Sequence, residues 1–417
     1  MSTYRTVTRM TDSGPYIIKL ILNLGCEVGQ NDLSPEVFNV HVIRREKNGD
    51  VLMRTEHGAE VALPSVGYVT VKAAYPCDEN GSFLPRGSYA ALELLEERLN
   101  KKIEGSVLSS RYVQNCFRVT QLKPFPPLEA DKPATTGLVF DTFDGDISPE
   151  LNGWQNGEST LKYGWFTPKH EAGQKLPLII WLHGAGEGGN DPLVAYTGNR
   201  VTALSSPKVQ RELGGAAWVL VPQCPTVWMD DGKEQLGRSN QSIYSKPLKA
   251  CIDQFIAEHV DEVDTSRIWI TGISNGGFMT VRMVLDYPGF FAAAAPGCTP
   301  FFEENITDEV VDSLKKTPIW FTHAKNDELV HPEETVLPLY RCLHDAGAEN
   351  LHFTYWEEVL DPTGEYKDEH GRPKRYMNHG VWVLMLDDVC RADVDGRAVL
   401  CDGVPCTIWE WMGKQHL

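Results

Sequence analysis

No stretch of this 417-residue sequence strings together the roughly 18 apolar residues that a membrane-spanning helix needs. The opening, MSTYRTVTRMTDSGPYIIKLIL, lacks the charged, apolar and small-residue succession of a secretory leader, and its apolar segment YIIKLIL is short and interrupted by Lys19. A cytoplasmic location with no membrane partner is the expectation. Positive charge is also scarce: 39 Lys and Arg stand against 57 Asp and Glu, for a net charge of −18. Such a mean field repels nucleic acid and anionic lipid alike. The ten cysteines lack the spacing of a disulfide framework or a metal site, with only Cys401 and Cys406 close together. Buried free thiols are therefore expected, and neither a metal nor an organic cofactor is called for.

What is present is ordinary globular composition, 42% hydrophobic and 23% charged, in a chain long enough for two domains. Residues 16 to 122 read as short alternating strands (YIIKLILNL, EVFNVHVIRRE, YVTVKAAYP, SYAALELLE, CFRVTQL) broken by turn signals at KNGD, DENGS and PRGS. Such strands predict a β-sandwich, although ALELLEERLNKKI also reads as helical at its start. A Pro-rich connector, KPFPPLEADKPATTG, follows at 123–137. The expected division is a β-sandwich domain over 1–125, a linker over 126–137 and a second domain over 138–417. There the rhythm changes. Apolar runs (LPLIIWLHG, AAWVLVPQ, RIWITGIS, FFAAAAPG, PIWFTHA, LHFTYWE) alternate with helical segments, one of which repeats Leu248, Ile252, Phe255, Ile256 and Val260 at helical spacing. This predicts an α/β fold, a mostly parallel sheet with helices on both faces, whose ligands meet the carboxyl ends of the strands.

One such end carries Gly272-Ile273-Ser274-Asn275-Gly276, between the strand RIWIT and a helix-like segment that stops at Pro288. A packing explanation needs only small residues at a tight turn. A chemical one needs Ser274 held on a strained strand-to-helix elbow with its hydroxyl exposed. A serine nucleophile requires a base, and the base an orienting acid, supplied in this architecture later in the chain, acid before base. Asp327, in the loop after PIWFTHA, is the candidate acid, with Glu328 as its neighbouring rival. Among the later histidines, His331 is too close to Asp327, His344 sits on a helix, His352 lies inside a strand and His416 is terminal. His379, after the last strand and before an apolar helix-like run, is preferred as base over His370, in the insertion DPTGEYKDEHGRPKRY. Oxyanion donors are expected from the N–H of Asn275 and, in the loop LIIWLHGAGEGGND, from Ala185 after His183 and Gly184. The same loop satisfies G-x-G-x-x-G, a dinucleotide fingerprint, but no second strand ends in a ribose-binding acid about 20 residues on, so the oxyanion reading is preferred.

With these residues assembled, the chain resembles the α/β-hydrolase superfamily, in particular esterases related to polyhydroxybutyrate depolymerases, feruloyl esterases and prolyl-oligopeptidase-like predicted peptidases. The segments that carry the likeness are LPLIIWLHGAGEGGND, VPQCP, VDTSRIWITGISNGGFMT, PIWFTHAKNDELVHPEET and, more loosely, NHGVW and IWEWMGKQ, spanning about 140–415. The resemblance implies an α/β-hydrolase fold preceded by an immunoglobulin-like domain. It also implies Ser274 as nucleophile, Asp327 as acid, His379 as base, and Gly184–Ala185 with Asn275 as oxyanion hole. Two departures stand out. His323-Ala324 replaces the His-Gly that often precedes the acid, and an insertion at 359–377 lengthens the route to His379. Trp228 is a candidate lining residue for the acyl or alcohol pocket, in competition with a core role, and His183 and Glu187 are candidate substrate contacts beside it. The expected activity is hydrolysis of small carboxylic esters, acetylated or feruloylated sugars among them. Peptide hydrolysis is the alternative, and noncatalytic binding of carbohydrate or protein is the competitor from another class. The N-terminal domain is a candidate oligomerisation surface.

Overall fold

In the computed structural model, which describes residues 2–55, 61–95, 100–106, 108–126, 133–171 and 173–417, the chain separates into two units. The first comprises residues 1–103 and 111–152, the second residues 104–110 and 153–417.

The first unit is built by period-two alternation. A five-stranded sheet in the spatial order Thr142–Ile147, Thr3–Thr11, Gly14–Gly29, Arg86–Leu94, Val71–Cys77 accompanies a four-stranded one in the order Val139–Phe140, Gln114–Gln121, Phe38–Arg45, Val66–Val69. Inward residues of the two, among them Leu20, Leu22 and Leu92 with Val40, Val42 and Phe117, share one core. This is the expected sandwich. YVTVKAAYP is two strands rather than one: Val66–Val69 joins the four-stranded sheet and Val71–Cys77 the five-stranded one. The helical alternative for ALELLEERLNKKI fails where it can be followed, because Ala90–Leu94 is strand; residues 96–99 lie outside the described residues. Within the connector, Phe125 and Thr135 exchange backbone hydrogen bonds and Phe125 is buried. Residues 127–132 of it lie outside the described residues.

The second unit holds an eight-stranded sheet. Its strands are β1 (Trp154–Glu158), β2 (Lys162–Phe166), β3 (Leu176–Leu182), β4 (Trp218–Gln223), β5 (Val263–Ile273), β6 (Ala293–Gly297), β7 (Ile319–Ala324) and β8 (Leu351–Trp356), in the spatial order β1-β2-β4-β3-β5-β6-β7-β8. β1, β2 and β4 pair antiparallel; from β4 to β8 every pairing is parallel. All seven residues of β3 and all six of β7 are buried, as strands covered on both faces must be. The covering helices are α1 (Pro192–Thr197), α2 (Pro207–Glu212), α3 (Ser245–Glu258), α4 (Asn275–Asp286), α5 (Asp308–Leu314), α6 (Val336–Asp345), α7 (Trp382–Leu386) and α8 (Ile408–Gly413). On α3 the expected stripe holds at Leu248, Ile252 and Phe255, but the helix stops at Glu258 and Val260 beyond it is exposed.

Two features position the site. The connection from β3 runs to β4 on one side and that from β5 to β6 on the other, so the carboxyl ends of the adjacent strands β3 and β5 bracket the reversal of strand order, where ligands of open α/β sheets bind. The insertion ahead of His379 folds back on itself: Asp361 N–H donates to Lys374 O (2.8 Å) and Tyr376 N–H to Val359 O (2.9 Å). The extra residues therefore return the chain to where it left. The expectation of buried free thiols needs two corrections: Cys342 is exposed and Cys26 and Cys116 are only partly buried, and Cys401 and Cys406 are joined in a disulfide across a short hairpin. They are five positions apart in sequence, and the hairpin register sets their Cα atoms 5.7 Å apart, within bridging range.

Candidate active site

Three glycines make the elbow possible. A Cβ on Gly276 would stand 2.0 Å from the Leu182 carbonyl oxygen of β3, one on Gly272 2.6 Å from that same oxygen, and one on Gly277 2.5 Å from the Gly297 carbonyl of β6. Only bare backbone lets α4 start this close to the sheet. Between them Ser274 has φ 53° and ψ −118°, a region that L-residues occupy at a cost of about 1–3 kcal/mol. A glycine there would be free of this strain. The Ser274 N–H is shared between Gly297 O (2.9 Å) and the Cys298 thiol (3.1 Å), which pins the elbow to the end of β6.

Asp327 follows β7 and is 1% exposed. Its carboxylate accepts from Nδ1 of His379 at both oxygens (3.0 and 2.8 Å), from the N–H groups of Leu329 and Val330 (2.9 Å each) and from Nε2 of His323 (3.0 Å). Burial opposes ionisation, but the hydrogen bonds from His323 and His379, the His379 charge and the Val330 N–H outweigh it and hold the carboxyl well below the usual carboxylate range. Asp327 is thus ionised at neutral pH and fixes the His379 ring with a proton on Nδ1, so that Nε2 is the unprotonated ring nitrogen. Cys298 links this pair to the elbow: its thiol accepts the Ser274 N–H, and burial followed by the Asp327 charge pushes its ionisation up. The rivals fall elsewhere. Glu328 is exposed and reaches only the backbone N–H of His379 (3.3 Å). His370 is exposed in the insertion hairpin, beside Glu369.

On β3 the loop Gly184–Gly188 opens with a single 3-10 turn, Ala185–Glu187. Ala185 N–H heads this turn as Asn275 N–H heads α4, and the first N–H groups of a helical turn have no acceptor within it. His183 is 1% exposed, and both of its ring nitrogens are engaged. Cys224 N–H donates to Nε2 (2.9 Å), so Nδ1 carries the proton and donates to Gly184 O (2.7 Å). Burial lowers its pKa and keeps it neutral. Holding the Gly184 carbonyl fixes the peptide plane and so aims the Ala185 N–H the opposite way. Ser110, which groups with this unit, donates from its hydroxyl to Gly186 O (2.7 Å) and braces the same loop.

Residues 3–126 match the model of the esterase Ig-like N-terminal domain, and residues 226–308 that of the prolyl oligopeptidase family. Carboxylesterase SOBER1 of Arabidopsis thaliana is 30% identical over 175 residues, which cover 37% of this chain and 70% of that protein. The chain belongs to the α/β-hydrolase esterases. A second relative from the same plant, a probable carboxylesterase SOBER1-like protein, is 28% identical over 168 residues, covering 37% of this chain and 61% of its own length. Among solved structures a thermostable esterase superposes over the whole of both chains with a TM-score of 0.72 at 23% identity, a likeness of fold, Ig-like domain included. An esterase of this family is a serine ester hydrolase.

The structure buries three of the expected substrate contacts. Trp228 is fully buried, its ring packed on His183 (5.3 Å between centroids) and Tyr244 (6.2 Å) and its backbone N–H held by Oδ1 of Asn275. His183 is the loop brace described above. Glu187 is 5% exposed, and its carboxylate packs against Gly184 and Gly198. All three pack in or around the loop after β3 and are about as buried as His379, which is 7% exposed. The sequence reading in turn missed His323, quoted only as a departure from a His-Gly pair. Its signal was positional: a histidine four residues before Asp327, near the end of a fully buried strand, where an unpartnered polar group is costly. The His323 ring is completely buried and donates from Nε2 to both Asp327 and Val330 O (3.0 Å each). Replacing it by Ala removes one donor from a buried carboxylate, worth about 1.5–3 kcal/mol. His323→Ala is therefore expected to lower kcat by about 10- to 100-fold with KM unchanged, and His323→Gln, whose amide N–H can reach the same oxygen, to retain most of the rate. Steady-state kinetics on p-nitrophenyl acetate check both, and equal losses in the two variants would refute the donor role.

Proposed function

We propose that the esterase cleaves small carboxylic esters through an acyl-enzyme on Ser274. The observation that carries the reading is the buried Asp327–His379 pair, 2.8 Å apart, taken together with a strained serine at the end of β5. Ser274 attacks the ester carbonyl as Nε2 of His379 takes its proton. The oxyanion develops between the N–H groups of Ala185 and Asn275. His379 returns the proton to the departing alcohol, and water activated by the same nitrogen releases the acid. No step calls on a metal or organic cofactor. The kinship with carboxylesterases supports simple carboxylic esters as the substrate class, with acetylated or feruloylated sugars within it.

Peptide hydrolysis is the second reading, favoured by the prolyl oligopeptidase match over residues 226–308. An amine is a poorer leaving group than an alcohol, so the two readings separate on matched substrates. With acyl groups held constant, kcat/KM on p-nitrophenyl esters should exceed that on the corresponding p-nitroanilides by about 10³ or more. Comparable rates on both, together with cleavage of an N-acylated peptide, would transfer the assignment to a peptidase. Absence of turnover on every ester, with no labelling of Ser274 by a fluorophosphonate, would return the fold to a binding role.

A further inference from the structure

The loop after β4 carries an arrangement that the reaction above does not use. Residues 231–242 form an irregular loop whose root is closed by the Ile243 N–H on Asp230 O (2.8 Å) and, just outside it, by Thr226 Oγ1 against the Tyr244 hydroxyl (2.9 Å). The root rests on the active site, because the backbone N–H of Trp228 is held by the side chain of Asn275, the residue after the nucleophile. The tip is held elsewhere. Arg238 places Nε and Nη2 on the two oxygens of Glu304 (2.6 and 3.0 Å) and Nη1 on Glu334 (3.2 Å), stacks its guanidinium 4.0 Å from the Phe302 ring, and accepts at its carbonyl from Nδ2 of Asn305 (2.7 Å). Phe302, Glu304 and Asn305 lie in the loop after β6, and Glu334 in the loop after β7 that also carries Asp327.

Strand order gives this its meaning. In the sheet, β4 is separated from β6 by β3 and β5, the strands that end in the oxyanion loop and in Ser274. A loop rooted on β4 and fastened to the loops of β6 and β7 must cross three to four strand spacings, about 14–19 Å, past the reacting centre. It does so on the side of α4, where Arg282 Nη1 donates to Asn240 O (3.1 Å). On the ester-hydrolase reading given above, we propose that residues 231–242 are a strap closing one side of the acyl-binding space. Arg238 is the positioning residue that latches this strap and thereby limits the length of acyl chain accepted.

The fastening suits a latch. Arg238, Glu304 and Glu334 are each about half exposed (52%, 50% and 55%), so each ion pair alone is weak and screened by salt. A two-toothed fork on one carboxylate, a second carboxylate and a stacked ring together give it a defined closed position. A lysine could reach one partner but reproduce neither the fork nor the stacking.

The test compares hydrolysis of p-nitrophenyl acetate and octanoate by the wild-type full chain and by Arg238→Ala, Arg238→Lys and Glu304→Gln, at low ionic strength and at about 0.5 M salt. Unlatching is expected to leave kcat/KM on acetate within about twofold and to raise the octanoate-to-acetate ratio about tenfold, chiefly through a lower KM for octanoate. Arg238→Lys and Glu304→Gln should fall between wild type and Arg238→Ala. The wild-type ratio should rise with salt, and that of Arg238→Ala should not respond. An Arg238→Ala protein that is active on acetate with the wild-type ratio and the wild-type salt response overturns the latch. Should Arg238→Ala fail to fold, Glu304→Gln decides by the same ratio. Failure of the wild type on both esters would instead strike the ester reading itself, which keeps the two conclusions separable.

Discussion

Ser274→Ala is expected to lower kcat on p-nitrophenyl acetate by on the order of 10⁵–10⁶ while leaving the fold, and the hydrogen bonds of Asp327 and His379, in place. The reasoning runs through the backbone as much as the hydroxyl. Ser274 is held at φ 53° by three glycine contacts with β3 and β6 and by the sharing of its N–H between Gly297 and Cys298. None of these involves Oγ. Alanine keeps the same strained backbone and loses only the nucleophile. Glycine loses the nucleophile and also the strain, so Ser274→Gly should be equally inactive yet more stable than the parent by about 1 kcal/mol, read as a Tm raised by about 2 °C. Opposite movement of rate and stability at a single residue is what a conformation kept for chemistry predicts. Retention of more than about a hundredth of the parental rate by Ser274→Ala, or a lower Tm for Ser274→Gly than for Ser274→Ala, would remove the basis for assigning Ser274 as nucleophile.

The parts of this molecule legible in its sequence are those where one physical demand dominates. β3, β6, β7 and β5 from Ile268 on are buried on both faces, so they read as largely apolar runs, and the turn after β5 admits little but glycine at 272, 276 and 277. Where demands mix, the signal weakens. The first strand, Thr3–Thr11, alternates faultlessly in burial but sets Thr6 and Thr8 inward, where their hydroxyls donate to the carboxylate of Asp146, itself bound by Lys101 at 2.9 Å. A period-two pattern written partly in threonine is invisible to a search for alternating hydrophobes. β1 and β2 are antiparallel additions at the sheet edge with a glycine in each, and they too carry no apolar run.

The site divides in the same way. The chain order proposed for it, serine then acid then histidine, follows from the architecture, and of six later histidines the spacing of strand ends favours His379, the one the structure sets against Asp327. Side-chain orientation was not legible. Trp228, His183 and Glu187 sit at strand-end positions where a ligand contact is a fair expectation, and whether each points toward the ligand or toward the core depends on the packing of β4, α1 and the oxyanion loop together. Sequence position reports proximity to the site; only packing decides the side from which a residue serves it.

Asp327→Asn carries the second large expectation, a fall in kcat of about 10⁴, and the hydrogen-bond count around Asp327 explains why the neutral isostere is so poor. Every partner of the carboxylate is a donor: Leu329 and Val330 N–H at one oxygen, His323 at the other, His379 at both. An asparagine must turn its NH₂ toward one of these sets. Faced with a donor, His379 can satisfy it only by moving its own proton from Nδ1 to Nε2, the tautomer that cannot accept from Ser274. Faced with Leu329 and Val330, the loop itself must shift. Stability should follow the same logic with a definite sign. The folded-state pKa of Asp327 lies below its unfolded value, so its contribution is present above the ordinary carboxylate pKa of about 3.9 and is lost as pH falls toward the folded value. The parent should therefore exceed Asp327→Asn by about 2–3 kcal/mol at pH 7, and the gap in Tm should close as the pH drops below about 4. Glu328→Gln, which removes only an exposed carboxylate from the His379 backbone N–H, should keep its rate within about threefold. If Asp327→Asn were active and Glu328→Gln inactive, the acid would have been assigned to the wrong neighbour, and the hydrogen bonds converging on Asp327 would have to be read as a brace for the loop rather than as the orientation of a base.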